Sequence, residues 1–243
     1  MKKTLEDVDF IFHEAAQAGV QISVENALNT HENNATGTLT LLECARHADV
    51  RKIINASSSS VYGKTEYLPF DEKHPACPIS PYGVSKLLTE HYCRVYEELY
   101  GLKSVSLRYF TVYGPNMRPD LAISIFSRKA LKNEQISLFG DGNKTRDFTY
   151  IGDIVNANML VMGKGSGIYN VGGGHNVSIR HLAEKIIEIT KSSSQINYQD
   201  SVPGDVVHTF ANTDLIRKEV GWYPKTTLEE GLRRYIQWLS TSQ

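Results

Sequence analysis

The chain has 243 residues, 41% apolar and 22% charged, with a formal net charge of −1, which suits a soluble globular protein with a sizeable core. With no basic block, and thirteen Tyr scattered along the chain, that balance excludes an electrostatic nucleic-acid binder. No apolar run approaches the ~20 residues of a membrane span, and Met1-Lys-Lys is followed at once by Glu6, Asp7 and Asp9, which is no signal peptide. Cys44, Cys77 and Cys93 are odd in number and lack metal spacing, so reduced thiols in a cytoplasmic protein are expected, with neither a disulfide framework nor a zinc site.

Val8–Phe12 reads as a short buried strand that runs into His13-Glu-Ala-Ala-Gln-Ala-Gly19, where small residues let a ligand approach the backbone or simply make a tight loop. A long helix is expected over Glu25–His47, with Leu39, Leu42 and Ala45 on one side and Asn33-Asn34 inside it. Val50–Asn55 is the next strand and closes on the cluster Ser57-Ser58-Ser59-Ser60. Pro69, Pro75 and Pro78 make Gly63–Ser80 a loop. Ser80 is a good N-cap and Pro81 suits the first helical position, so a helix begins there and runs to Tyr100, with Gly101 as its stop.

Tyr82 and Lys86 stand four residues apart at the start of that helix and share one face. A phenol titrates near pKa ~10, so use as a base near neutrality needs a shift of roughly three units, about 4 kcal/mol. The ammonium of Lys86 and the positive helix end both favour the phenolate, and a hydroxyl of the serine cluster can reach the same reacting oxygen. A lone Tyr-x-x-x-Lys is commonly just a surface pair; the serine-rich strand end and the capped helix start make the catalytic reading the stronger one.

Ser104–Phe110 is a further strand entering Thr111-Val-Tyr-Gly-Pro115, and the strand–helix alternation to this point predicts right-handed crossovers and a parallel sheet. A helix near Ile123–Lys132 and a strand at Ile136–Phe139 follow. The loop Gly140–Asp147 is either a plain hairpin turn or a phosphate clamp through Arg146 and backbone N–H groups. Asp153 is expected to cap a helix to Met162, Ile168–Val171 is a strand, and Gly172-Gly-Gly174 is a flexible turn without dinucleotide spacing. Ser178 caps a helix to Thr190; a strand at Ile196–Tyr198, a turn at Pro203-Gly-Asp205 and helices near Asp214–Val220 and Leu228–Leu239 complete the pattern. His175 and His181 read as surface residues, not metal ligands.

Taken together, Phe12-His-Glu-Ala-Ala-Gln-Ala-Gly-Val20, Asn33-Asn-Ala-Thr-Gly-Thr38, Ala56-Ser-Ser-Ser-Ser-Val-Tyr-Gly63 and Ser80-Pro-Tyr-Gly-Val-Ser-Lys86 resemble the extended short-chain dehydrogenase/reductases of the sugar-nucleotide epimerase/dehydratase family. Leu107–Pro115, Arg118-Pro-Asp120, Gly140-Asp-Gly with Thr145–Tyr150, Tyr169–Gly173 and Pro203-Gly-Asp205 continue the likeness, which is nearest to the UDP-hexose and UDP-hexuronate 4-epimerases.

The resemblance implies an α/β Rossmann-like doubly wound parallel sheet, incomplete at its N-terminus, over residues 1–115, and a smaller sugar-nucleotide-binding region over 116–243, some segments of which return to the first. It implies NAD as cofactor and 4-epimerisation of a UDP-sugar through a transient 4-keto intermediate, by a homodimer. Ser58, Tyr82 and Lys86 fall at the catalytic positions. Ala15, Ala16, Gln17, Asn34, Tyr109 and Phe110 join Tyr82 and Lys86 at cofactor positions, and Thr111, Arg146 and Asp205 join Ser58 and Tyr82 around the substrate, which favours the clamp reading of Arg146.

The family's opening strand and its Gly-x-x-Gly-x-x-Gly pyrophosphate turn have no counterpart in this sequence. Glu14 stands where an apolar residue is more usual, and Val202 where several relatives place an Arg. Dehydratases of the family carry an Asp-Glu pair where this chain has Ser59-Ser60, which disfavours dehydration. A UDP-glucuronate epimerase or decarboxylase, or a non-catalytic member, stays open as an alternative.

Overall fold

The computed structural model describes residues 2–200 and 208–241. After a short 3-10 turn, the first elements are β1 (Phe10–His13), α1 (Val20–Glu25), α2 (Ala27–His31), α3 (Gly37–Ala45), β2 (Lys52–Ser58), α4 (Pro81–Tyr100) and β3 (Ser104–Tyr109). Next come β4 (Val112–Tyr113), α5 (Ala122–Leu131), β5 (Ile136–Phe139), β6 (Thr145–Arg146), β7 (Thr149–Tyr150), α6 (Ile151–Gly163) and β8 (Gly167–Val171). The last are β9 (Val177–Ser178), α7 (Ile179–Thr190), β10 (Ile196–Gln199), α8 (Asp214–Val220) and α9 (Leu228–Thr241). Two units divide the chain: Met1–Tyr109 with Asn156–Val171 and Asn212–Tyr223, and Phe110–Val155 with Gly172–Ala211 and Pro224–Gln243.

The first unit holds a parallel sheet in the order β1-β2-β3-β8. Every residue of β2 is buried, as expected of a central parallel strand covered on both faces. Leu42, Ala45, Ile53, Cys93 and Tyr96 pack α3 and α4 onto one face of it. At the opposite end from the serines, Lys52 Nζ donates to the carbonyls of Val161, Lys164 and Gly165 at 2.6–2.8 Å, tying β2 to the C-terminal end of α6.

The capping signals of α4 act as expected. Ser80 Oγ accepts the Gly83 N–H at 3.1 Å, Pro81 opens the helix, and Gly101 ends it in the left-handed conformation at φ 70°.

The single helix expected over 25–47 is instead broken twice. Asn26 leaves helical geometry, and its side chain caps α2 by accepting the Asn29 N–H. Glu32–Thr36 then forms one π-helical turn. Non-local bonds outweigh the helical pattern here, because the turn carries Asn34 inward to 1% exposure. Strand β2 also extends through Ser58, three residues beyond the expected end.

In the second unit, β5 pairs parallel with β10, and α5, α7 and α9 supply a separate core around Ile123, Phe126, Leu182, Ile186 and Leu232. Asp153 is not the cap of α6: it lies inside the first turn, where its carboxylate accepts the N–H groups of Lys225 and Thr226. The glycines at 172–174 are no loose turn either, since buried Asp147 accepts the Gly173 and Ala211 N–H groups at 2.6 and 3.0 Å.

All three cysteines are free thiols. Among the described residues there is no cluster of metal-ligating side chains, and no helix is long and apolar enough to cross a membrane.

Candidate active site

Parallel strands deliver side chains at their C-terminal ends, and in the first unit those ends carry Glu14 just after β1, Ser58 at the end of β2 and Tyr109 at the end of β3. Ser58 is nearly buried, and its Oγ accepts the Ser60 N–H at 3.2 Å, turning the chain into a short 3-10 segment. Gly83, in the first turn of α4, lies against this segment so closely that a Cβ there would stand 2.5 Å from the Ser60 carbonyl oxygen. The missing side chain therefore brings the helix start carrying Tyr82 against the serine turn.

One turn on, Lys86 is 5% exposed, and its Nζ donates to the Ala56 carbonyl at 2.6 Å. Burial pulls its ammonium down to about 8, against the opposing charge of Glu14. An ammonium has three donors, and the Ala56 bond uses one. A buried cation with donors to spare suits a group rich in hydroxyls, such as a ribose diol.

The loop after β1 is held from beneath. Asn34 accepts the Gln17 N–H at 2.7 Å and donates to the Gln17 carbonyl and to Ser85 Oγ, whose own hydroxyl donates to the Tyr82 carbonyl. The Asn34 amide thus makes its bonds within the protein, fixing Ala15, Ala16 and Gln17 relative to the first turns of α4. His13 Nε2 lies 2.8 Å from Thr38 Oγ1, and that hydroxyl donates to the Asn34 carbonyl. Its one proton being so used, Nε2 carries the hydrogen of a neutral imidazole. Burial first, and the Lys86 charge second, lower His13 to about 4.

Three further residues at the candidate site, Glu90, Arg108 and Asn158, are not among those the sequence singled out. Glu90 lies one turn beyond Lys86 on α4, so the 82–86–90 spacing signals it. It forms a bidentate pair with Arg108, both almost wholly buried, and accepts the hydroxyl of Ser57. The Arg108 guanidinium lies 4.8 Å from the Tyr62 ring centroid, and Tyr62 donates to Asn170. Asn158 Nδ2 on α6 donates to the Tyr109 hydroxyl at 2.8 Å, and both Asn158 Oδ1 and Glu14 Oε1 stand 3.0 Å from that hydroxyl as acceptors for its proton. No local pattern identifies Arg108 or Asn158, whose partners are 18 and 49 residues away.

In the second unit, Phe110 is buried and the Thr111 carbonyl accepts the Thr149 N–H. Arg146 is no tip of a plain hairpin: β6 pairs antiparallel with β9, placing Arg146 opposite Val177, and its Nη1 donates to the Thr145 carbonyl. Asp205 and Val202 lie outside the described residues.

This architecture has close counterparts. Residues 1–235 match the family described as GDP-mannose 4,6 dehydratase, and the chain belongs to that epimerase/dehydratase family. A Methanocaldococcus jannaschii protein provisionally named UDP-glucose 4-epimerase is 39% identical over 246 residues, covering 99% of this chain and 80% of that protein. The structure of a UDP-glucose 4-epimerase from Thermotoga maritima with UDP-glucose superposes with a TM-score of 0.94 at 35% identity, over 96% of this chain and 78% of that one. A UDP-glucuronic acid 4-epimerase from Bacillus cereus, in complex with UDP-glucuronic acid and NAD, does so at 0.93 and 34%, over 100% and 78%.

Proposed function

We propose that this chain is a UDP-sugar 4-epimerase that uses NAD, with Ser58, Tyr82 and Lys86 as its catalytic residues. The observation that carries the reading is the Lys86 ammonium, buried against Ala56 one helical turn after Tyr82, with donors left for a ribose. Relatives whose names state UDP-sugar epimerisation, one of them a complex with NAD, support it.

NAD, when bound, supplies a reversible hydride acceptor. Ala15, Ala16, Gln17, Tyr109 and Phe110 would line it, Lys86 would hold its ribose, and Asn34 would act through the loop it pins. Tyr82, its phenolate favoured by the Lys86 charge and the helix end, takes the proton of the sugar C4 hydroxyl. Ser58 hydrogen-bonds the same oxygen and orients it. The proton returns from Tyr82 once the 4-keto sugar has presented its other face. Thr111, Arg146 and Asp205 are the proposed contacts to the sugar nucleotide, with Arg146 paired to phosphate.

Ser59 and Ser60 argue against dehydration, because neither offers a carboxyl group to drive loss of water. UDP-glucuronate is the second proposed substrate, supported by relatives named as UDP-glucuronate 4-epimerases. A homodimer in the cytoplasm belongs to the same reading.

Incubating the chain with NAD and, separately, UDP-glucose and UDP-glucuronate, followed by proton NMR, tests the proposal. The C4 epimer of at least one should accumulate, and Tyr82→Phe should slow it by about 10²-fold or more. Near-wild-type turnover in that variant contradicts the role of Tyr82.

A further inference from the structure

Asp147 is wholly buried in the second unit, and the catalytic account gives it no task. A buried carboxylate is costly unless donors meet it, and here backbone supplies them. Asp147 Oδ1 accepts the Gly173 N–H at 2.6 Å and Oδ2 the Ala211 N–H at 3.0 Å. The fit is close. A Cβ on Gly172 would stand 2.4 Å from the Ala211 Cβ and 2.8 Å from Asp147 Oδ2, and one on Gly173 would stand 2.1 Å from the Phe148 carbonyl oxygen. Two successive glycines therefore let the backbone close around this one carboxylate.

What the carboxylate gathers is the surroundings of Arg146. Three segments of the second unit meet on it: 145–149, the glycines 172–174 that lead into β9, and 208–211. The same segments hold Arg146 from either side. Thr145 bridges to His208, its carbonyl accepts the Thr209 N–H at 3.2 Å, and its hydroxyl lies 2.9 Å from His208 Nδ1. Thr209 Oγ1 accepts the Asp147 N–H at 3.3 Å, and Arg146 itself stands opposite Val177 in β9.

We propose that Asp147 is a positioning residue for Arg146: by fastening the two backbone segments beside it, the carboxylate sets where that cation meets the phosphates of a sugar nucleotide. The proposal rests on the reading of Arg146 as a phosphate contact and not on the reaction that follows. Asparagine nearly matches aspartate in shape but keeps one acceptor oxygen. In Asp147→Asn an amide N–H therefore faces the N–H of Gly173 or of Ala211, and one of the two segments loses its tie.

Calorimetric titration of the 243-residue protein with UDP tests this. Arg146→Ala should weaken UDP binding by about 10- to 100-fold, the weight of one charge-assisted contact. Asp147→Asn should weaken it by about 10-fold alone and by less than about 2-fold when Arg146→Ala is already present, because a residue acting through Arg146 then has nothing to act on. A carboxylate that merely held the fold together would weaken both backgrounds alike. Thr209→Val removes the acceptor of the Asp147 N–H and leaves the carboxylate intact, so it carries the test if Asp147→Asn does not fold. Its loss should be about 2- to 4-fold and should also vanish in the Arg146→Ala background. Unchanged UDP affinity in the folded variant, an equal loss with and without Arg146, or a wild type that does not bind UDP overturns the proposal. A chain that shows the predicted coupling and yet leaves UDP-sugars unepimerised defeats the epimerase reading alone.

Discussion

Arg108 and Glu90 form a buried ion pair that, with the Ser57 hydroxyl on Glu90, joins β2, β3 and α4. Removing one partner strands the other in a place without water, so Glu90→Ala should cost about 3–5 kcal/mol in urea unfolding. Exchanging both for apolar residues of similar size, Glu90→Met with Arg108→Met, should cost far less than the single change. Equal losses in the two variants would mean that packing, not the unpaired charge, sets the cost. At this scale the shared placement of Tyr82 and Lys86, the pair proposed as catalytic, was legible because they are local neighbours on one helix. Glu90 continues their spacing, but its partner Arg108 comes from another strand, and no local pattern joins them.

At the scale of elements, the close approach of α4 to the serine turn sets the placement of the proposed catalytic residues, and Gly83 permits it. An added methyl would meet the Ser60 carbonyl oxygen at 2.5 Å and the Pro78 ring at 2.9 Å, so helix or turn must shift. Gly83→Ala should lose about 1–3 kcal/mol by overpacking, and should lower kcat more than it raises KM, because Tyr82 and Ser58 move apart. Unchanged stability and kcat would show that the contact yields without consequence. Helix α4 was readable to its ends, since Ser80, Pro81 and Gly101 act within a turn of the chain. The segment 20–45 was not: its first break is the local cap made by Asn26, while its π-helical turn answers to Gln17 and Ser85 through Asn34. Asp153 misled for the same reason: its carboxylate serves backbone more than 70 residues away.

For the molecule as a whole, the parallel sheet was legible from the strand–helix alternation, whereas the return of 156–171 and 212–223 to the first unit followed from no local signal. Acid should weaken this fold through His13. The folded protein keeps the imidazole neutral down to about 4, against an ordinary value of 6.5. Below the ordinary value the unfolded chain takes up a proton that the folded one refuses. Stability is therefore full above that value and falls as pH drops toward the folded pKa. The loss should reach about 2–3 kcal/mol, discounted for partial exposure. Urea unfolding across this range should show the slope in the wild type and a flatter one in His13→Gln; parallel slopes would assign the acid sensitivity elsewhere.

The central claim is that the site opens and reforms one C–H bond at the sugar C4 while Tyr82 handles only the hydroxyl proton. Epimerisation of UDP-glucose carrying deuterium at C4, with NAD and followed by NMR and mass spectrometry, tests it most directly. The account predicts that the product keeps its deuterium at C4, and that unlabelled substrate in heavy water gains none on carbon. Loss of the C4 label to solvent, or solvent deuterium appearing at C4 or C5, would contradict it.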